Sequence, residues 1–168
     1  MTKKGYLTSM EYSAIRKTLG FSLEEAKKFH NVESVNTIKR WESGQSRVSE
    51  LACNKILELW TRVNNTISES IKIYNDLPDP SATEITLIVY PKKCYKKFVV
   101  GMGDLPYSIH QTMVVRVYND LKQLNADVGI VEFNVQDYFS FLAQHHYKDS
   151  QDVRAMWATD YRHRILYQ

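Results

Sequence analysis

Apolar side chains recur at intervals of three and four residues through the first 75 positions, which predicts four helices. Three of these helices are short, whereas the fourth runs from near Ser49 toward Tyr74, about 25 residues or roughly 38 Å. Its apolar stripe consists of Leu51, Ile56, Leu57, Trp60, Val63, Ile67, Ile71 and Tyr74. Because this helix is longer than a small domain, its second half is expected to pack on a second domain or a second copy of the chain.

The three short helices each begin at a residue that favours helix starts. Thr8 with Glu11 and Ser22 with Glu25 have the spacing of a capping box, and Ser34 is a third N-cap candidate. The sequence therefore predicts three helices within about 35 residues, a compact unit of the kind that reads DNA.

The ends and inner faces of these helices are also visible in the sequence. Gly20 ends the first helix, His30 to Glu33 form a polar turn after the second, and Gly44 supplies a left-handed cap after the third. The side chains predicted to face inward are Ala14, Ile15, Leu19, Ala26, Phe29, Ile38 and Trp41.

The segment from Asn75 to Ser81 contains two prolines and no apolar periodicity, which indicates a linker. After it, β-branched and aromatic runs predict strands at 85–90 and 128–133, and helical spacing predicts helices at 109–124, 135–145 and 150–165. The predicted fold class is α+β, with a helical domain at 1–75 that includes the long connecting helix, a linker at 76–83, and a small α/β domain at 84–168.

Composition narrows the class of protein. No apolar run reaches membrane-spanning length and no apolar segment follows the first lysines, so a cytoplasmic protein without a signal peptide is expected. Two isolated cysteines, Cys53 and Cys94, predict neither a disulfide nor a metal site, and Cys53 is expected to be buried. Residues 1–60 carry ten Lys or Arg against seven acids, and the remainder is balanced, so the small basic excess lies in the predicted DNA-reading part.

Three features of the second region contain residue types that catalyse reactions or bind ligands. His145 and His146 with Asp160 and His163 would supply a general base or metal ligands, but adjacent histidines on a helix point about 100 degrees apart. The segment 101–104 (GMGD) lacks the glycine pattern of a dinucleotide loop, and a turn is expected there. The lysine-rich segment 92–97 (KKCYKK) either tracks a phosphate backbone, with its tyrosine stacking on a base, or is a solvated face. No cofactor, metal or catalytic residue is predicted.

The N-terminal residues resemble the lambda-repressor-like, or Xre-type, helix-turn-helix domains. The resemblance rests on residues 16–22 (RKTLGFS), on Glu25-Ala26 and on residues 38–44 (IKRWESG), and it covers about residues 8–60. It implies that residues 34–44 form the recognition helix of a unit that binds double-stranded DNA.

The resemblance also implies individual roles. The positions facing or flanking base edges are Val35, Asn36, Thr37, Lys39 and Arg40. The positions contacting phosphates are Ser22, Gln45 and Arg47. Arg16 and Glu42 match a pair that bridges the first helix to the end of the third, and loss of either is expected to unfold the domain.

The whole chain bears a weaker resemblance to small uncharacterised bacterial regulators and to anti-CRISPR-associated autorepressors, which implies a homodimer paired through its C-terminal region. The favoured hypothesis is a homodimeric, sequence-specific transcription regulator, expected to be a repressor, that binds an inverted repeat. One alternative is an antitoxin-like protein that autoregulates its operon and binds a protein partner through its C-terminal domain. A remote alternative is a nucleic-acid-processing enzyme that uses the histidines.

Overall fold

The computed structural model describes residues 6–99 and 105–167, which form a helix-rich α+β fold with eight helices and a two-stranded parallel sheet. The elements in chain order are α1 (Ser9–Thr18), α2 (Leu23–His30), α3 (Val35–Glu42), α4 (Glu50–Asn75), β1 (Glu84–Val89), α5 (Tyr95–Phe98), α6 (Tyr107–Gln123), β2 (Asp127–Glu132), α7 (Val135–His145) and α8 (Gln151–Leu166). The predicted helices and strands are confirmed. Helix α5 is not predicted, because a helix of four residues is too short to show a periodicity.

The chain divides into two compact units whose boundaries differ from the linker at 76–83. The first unit comprises Met1–Glu69 together with Leu105–Met113, and the second comprises Ser70–Asp104 and Val114–Gln168. The division falls within the continuous helices α4 and α6, because a helix packs wherever its apolar side chains find neighbours and need not end at a change of composition.

Local capping fixes the starts of α1 and α2. The Thr8 and Ser22 hydroxyls accept hydrogen bonds from the amides of Glu11 and Glu25, and each glutamate accepts from the amide of its cap in return. Both predicted capping boxes are therefore confirmed. They satisfy amide groups that a helix of eight or ten residues cannot satisfy internally.

Three residues with positive φ end the short helices. Gly20 and Gly44 have φ of 74° and 76°, the left-handed conformation that glycine adopts without steric cost. Asn31 takes the same conformation after α2, with φ of 55°. The predicted ends at Gly20 and Gly44 are confirmed.

The core of the first unit is more aromatic than the periodicity predicts. Tyr12, His30 and Trp41 pack ring against ring, with centroids 5.6 Å apart for each pair. The prediction that Trp41 belongs to the core is confirmed, whereas the assignment of His30 to a polar turn is wrong, because His30 ends α2 and is only 6% exposed. Ala14 was also placed wrongly, since α1 turns Tyr12, Ser13 and Arg16 inward and leaves Ala14 exposed.

Helix α4 buries half of its predicted stripe, and Leu57, Trp60 and Ile71 are partly exposed. Ile56, Val63, Ile67 and Tyr74 are buried, as is Cys53. Leu51 is 64% exposed, because the first turn of α4 presents Ala52 and Cys53 inward in its place.

In the second unit, β1 and β2 pair in parallel with Glu84 opposite Asp127 and Val89 opposite Glu132. Helix α8 packs on both strands, and its Arg162 crosses them to reach Glu84 and Asp127, each at 2.9 Å. A side chain at Gly129 would overlap Arg162, so a glycine at this position in β2 leaves room for the guanidinium.

Helices α7 and α8 are joined by a polar clamp at Asp137. Its carboxylate accepts from Trp157 Nε1 at 2.7 Å and from both terminal nitrogens of Arg164 at 2.9 and 2.7 Å. The Arg164 hydrogen bonds are the main reason that the Asp137 pKa is lowered. Trp157 is fully buried and the Arg164 side chain is 41% exposed, so the clamp joins α8 to α7 from the core to the surface.

Candidate nucleic-acid interface

Helix α3 separates its side chains cleanly into an inner and an outer face. Ser34 caps it by accepting from the amide of Asn36 at 3.1 Å, and Ile38 and Trp41 are buried. Of the predicted base-facing residues, the structure leaves three exposed and two partly exposed. The exposed ones are Asn36, Lys39 and Arg40, and the partly exposed ones are Val35 and Thr37.

The outer face of α3 offers the groups that read bases. Asn36 presents an amide that matches adenine, Arg40 presents a fork of donors that matches guanine, and Val35 presents methyl groups that suit the thymine methyl. No acidic residue stands in the first turn of α3. The acidic residue at its end, Glu42, is engaged elsewhere.

Glu42 pairs with the buried guanidinium of Arg16. Arg16 Nε and Nη2 both donate to the Glu42 carboxylate, the latter at 3.3 Å, and Arg16 Nη1 donates to the carbonyl of Phe21. One arginine of α1 thus holds the end of α3 and the chain just before α2. Such a contact fixes the angle at which α3 is presented to solvent.

The predicted phosphate contacts all lie at the surface. Ser22, Gln45 and Arg47 are exposed, and the Arg47 guanidinium lies 5.8 Å from the centroid of the Tyr6 ring. Gln45 and Arg47 follow the cap at Gly44 directly, so the cap sets where they leave α3.

Behind α3, His30 is a buried titratable group that sequence reasoning missed. Its two ring nitrogens have no hydrogen-bond partner among the described residues, and neither does the hydroxyl of Tyr12. Burial, with a smaller contribution from the Lys55 charge, lowers the pKa of His30 to about 4. The only sequence signal was its position four residues after Ala26, on the inward face of α2.

The candidate residues of the second region have other neighbours. His163 Nε2 lies 2.6 Å from Glu84, Asp160 accepts from Arg164 at 2.8 Å, and the His145 ring stacks on Tyr147. Among residues 6–99 and 105–167, no group of three or more His, Cys, Asp or Glu side chains could hold a metal ion. The segment 101–104 lies outside the described residues.

The lysine-rich segment 92–97 has exposed lysines and a buried tyrosine, which neither sequence interpretation predicted. Its four lysines are exposed, but Tyr95 is 3% exposed and belongs to the core. The interpretation that Tyr95 stacks on a base is therefore wrong, because its ring is packed in the core. Lys97 instead lies over the rings of Phe98 and Phe139, 5.2 and 5.9 Å from their centroids.

An open cleft of about 740 Å³ lies in the second unit where both strands end. It is lined by Pro91, Lys93, Glu132, Phe133, Asn134, Val135, Gln136 and Tyr161. The carboxyl ends of parallel strands are a common place for ligands, and the wall carries charges of both signs.

Comparison with known proteins supplies a family. None of the curated proteins compared with the chain matches it. In the described part of the chain, no helix combines the length and apolar character needed to cross a membrane. Residues 1–161 match the family described as "Domain of unknown function (DUF4447)", and because the match spans nearly all of the 168 residues, the chain belongs to that family.

Proposed function

We propose that this protein is a sequence-specific DNA-binding transcription regulator, a repressor that binds an inverted repeat as a homodimer. The observation that carries the proposal is the division of α3, with Ile38 and Trp41 buried and Asn36, Lys39 and Arg40 exposed on a helix that packs against α1 and α2. A helix presented this way fits the major groove.

In this proposal, base contacts and phosphate contacts come from different places. Asn36 and Arg40 read base edges, with Val35, Thr37 and Lys39 beside them. Ser22 at the start of α2 and Arg47 after α3 bind the backbone and set the register. Because the net basic excess is small, affinity depends on these placed contacts, and non-specific binding is weak and sensitive to salt.

The homodimer follows from the limited reach of one recognition helix. Eight residues of α3 contact only a few base pairs, and two copies on an inverted repeat double the contacts. The second unit carries exposed apolar side chains suited to pairing, namely Met156, Ile165, Leu166 and Tyr167. Light scattering is expected to give twice the chain mass.

The test is selection from random duplex DNA at about 100 mM salt, followed by sequencing. The wild type is expected to enrich an inverted repeat with half-sites one helical turn apart, and the Asn36→Ala, Arg40→Ala variant is expected to enrich nothing. A matched control variant, Asn65→Ala, Lys72→Ala, also removes one side-chain amide and one positive charge, but from exposed positions of α4. It is expected to enrich the wild-type sequence.

The outcomes separate the parts of the proposal. Failure of the wild type to enrich any sequence would refute sequence-specific binding. Enrichment that survives in the Asn36→Ala, Arg40→Ala variant would refute the role of α3. Enrichment of a single half-site, with a monomer in light scattering, would refute the homodimer alone.

The exposed apolar side chains of α8 also favour a second candidate, an antitoxin-like regulator that covers them with a different protein. Purification from the native cells separates the two candidates. A stable partner in equal amount, released when Met156 and Leu166 are changed to Ser, supports the antitoxin-like protein. A homodimer without other protein supports the simple regulator.

A further inference from the structure

The beginning of α6 belongs to the first unit, although residues 70–104 of the second unit precede it in the chain. Within this segment, Leu105–Met113, Ile109 is fully buried and Leu105 is 7% exposed. The unit that contains α3 is thus completed by a segment far from it in sequence.

The segment docks at the turn between α1 and α2, where Gly20 is its contact. A Cβ at Gly20 would overlap the Thr112 hydroxyl and would lie 3.2 Å from the carbonyl oxygen of Ser108. The absence of a side chain at position 20 therefore allows the backbone of the turn to approach α6 closely. Its φ of 74° adds a second reason for glycine.

Local hydrogen bonds hold the start of α2, directly after the Gly20 turn. Burial raises the pKa of the Glu25 carboxyl, but hydrogen bonding, from Ser22 above all, leaves the pKa lowered. The Ser22 hydroxyl accepts from the Glu25 amide at 3.1 Å and donates to its carboxylate at 2.8 Å. Glu25 is thus tied to Ser22, beside the turn at which α6 approaches Gly20.

We propose that the first two turns of α6 are part of the DNA-binding unit, and that the close approach of the Gly20 backbone to α6 positions the Ser22 turn against a DNA phosphate. This inference rests on the proposed function. Gly20 is a positioning residue, since it acts through the Ser22 turn and the free amides at the start of α2. The Thr112 hydroxyl only bounds the space in which a side chain at position 20 would lie.

A double-mutant cycle on the full chain tests the docking, with Gly20→Ala, Thr112→Ala and the combination of both. Gly20→Ala brings the overlap with the Thr112 hydroxyl together with backbone strain, and Thr112→Ala removes the overlapping atom. The wild-type operator from the selection is the probe, measured by fluorescence anisotropy and by phosphate ethylation interference. Operators with single base-pair changes under α3 provide the measure of base specificity.

Gly20→Ala is expected to weaken operator binding at least about tenfold, the usual effect of one lost hydrogen bond to a charged group. Interference at one phosphate per half-site is expected to disappear, while discrimination against the base-pair changes is retained, which general unfolding would not give. Thr112→Ala alone is expected to stay within about twofold of the wild type, and the double variant is expected to recover most of the loss and the interference signal.

The inference is overturned if Gly20→Ala binds as the wild type does, or if Thr112→Ala restores nothing, because strain at Gly20 would then be the whole effect. If the wild type has no operator, the proposed function fails and this inference fails with it. In that case coupling between the two substitutions in thermal unfolding would still report the docking itself, so the two failures are distinguishable.

Hydrogen exchange on the unmodified chain covers the case in which Gly20→Ala does not fold. Peptides from residues 19–26 and 105–113 are expected to gain protection together on operator binding, and a peptide from 135–145 is expected to stay unchanged. Protection of 19–26 without 105–113 would overturn the inference.

Discussion

The buried imidazole of His30 makes the stability of the first unit dependent on pH. The group has a pKa of about 4 in the folded protein and an ordinary value of 6.5 when unfolded. Below pH 6.5 the unfolded chain therefore binds a proton that the folded chain does not. Stability is fully present above pH 6.5, falls as the pH is lowered toward 4, and levels off below that.

The size of this effect follows from the two pKa values. Between pH 7 and pH 5, proton binding to the unfolded state is expected to reduce the free energy of unfolding by about 2 kcal/mol. Because typical domains are stable by about 5–15 kcal/mol, the loss is readily measured. His30→Phe keeps a ring among Tyr12, Phe29 and Trp41 and removes two buried nitrogens without partners. It is expected to abolish this part of the pH dependence and to leave stability at pH 7 equal or higher.

The assay combines urea unfolding at pH 7 and pH 5 with an NMR titration of the His30 ring, assigned by its loss in His30→Phe. The wild type is expected to lose about 2 kcal/mol more than the variant on acidification. A His30 pKa near 6.5, or equal losses in wild type and variant, would refute the account of a dry imidazole in the core.

Three further predictions concern buried polar groups. Arg16→Met leaves Glu42 without its partner and is expected to lower the free energy of unfolding by about 3–5 kcal/mol in urea titrations. The double variant Arg16→Met, Glu42→Gln is expected to recover part of this loss, and an equal loss in both variants would contradict the prediction. Tyr12→Phe removes a buried hydroxyl that has no partner among the described residues and is expected to be neutral or stabilising, so a fall in melting temperature would indicate a partner for that hydroxyl. Arg154→Met deprives the Phe98 carbonyl of a donor at 2.7 Å and is expected to cost about 2–3 kcal/mol, which a wild-type melting temperature would contradict.

Features governed by near neighbours in sequence were predicted well. The capping boxes at Thr8 and Ser22 depend on residues three positions apart, and the left-handed ends at Gly20 and Gly44 depend on one residue each. The strands were visible because β-branched residues cluster there.

Features governed by distant partners were not predicted. The polar character of histidine predicted that His30 is exposed, yet aromatic neighbours surround it. Nothing in the sequence indicated that Arg154 is buried, where it donates to the carbonyl of Phe98. The contact between α6 and Gly20 joins residues about 90 positions apart, so the sequence does not reveal it. The sequence explains the glycine at position 20 only by its positive φ, whereas the structure adds that α6 leaves no room for a side chain there.

The most direct test of the central claim is the ratio of affinities for the selected operator and for a scrambled duplex at about 100 mM salt. The wild type is expected to favour the operator at least about a thousandfold, the lower end of specific recognition, and Asn36→Ala, Arg40→Ala is expected to lose most of that ratio while keeping its affinity for the scrambled duplex. Equal wild-type affinities for the two duplexes, or an unchanged ratio in the variant, would contradict the claim that α3 reads DNA sequence.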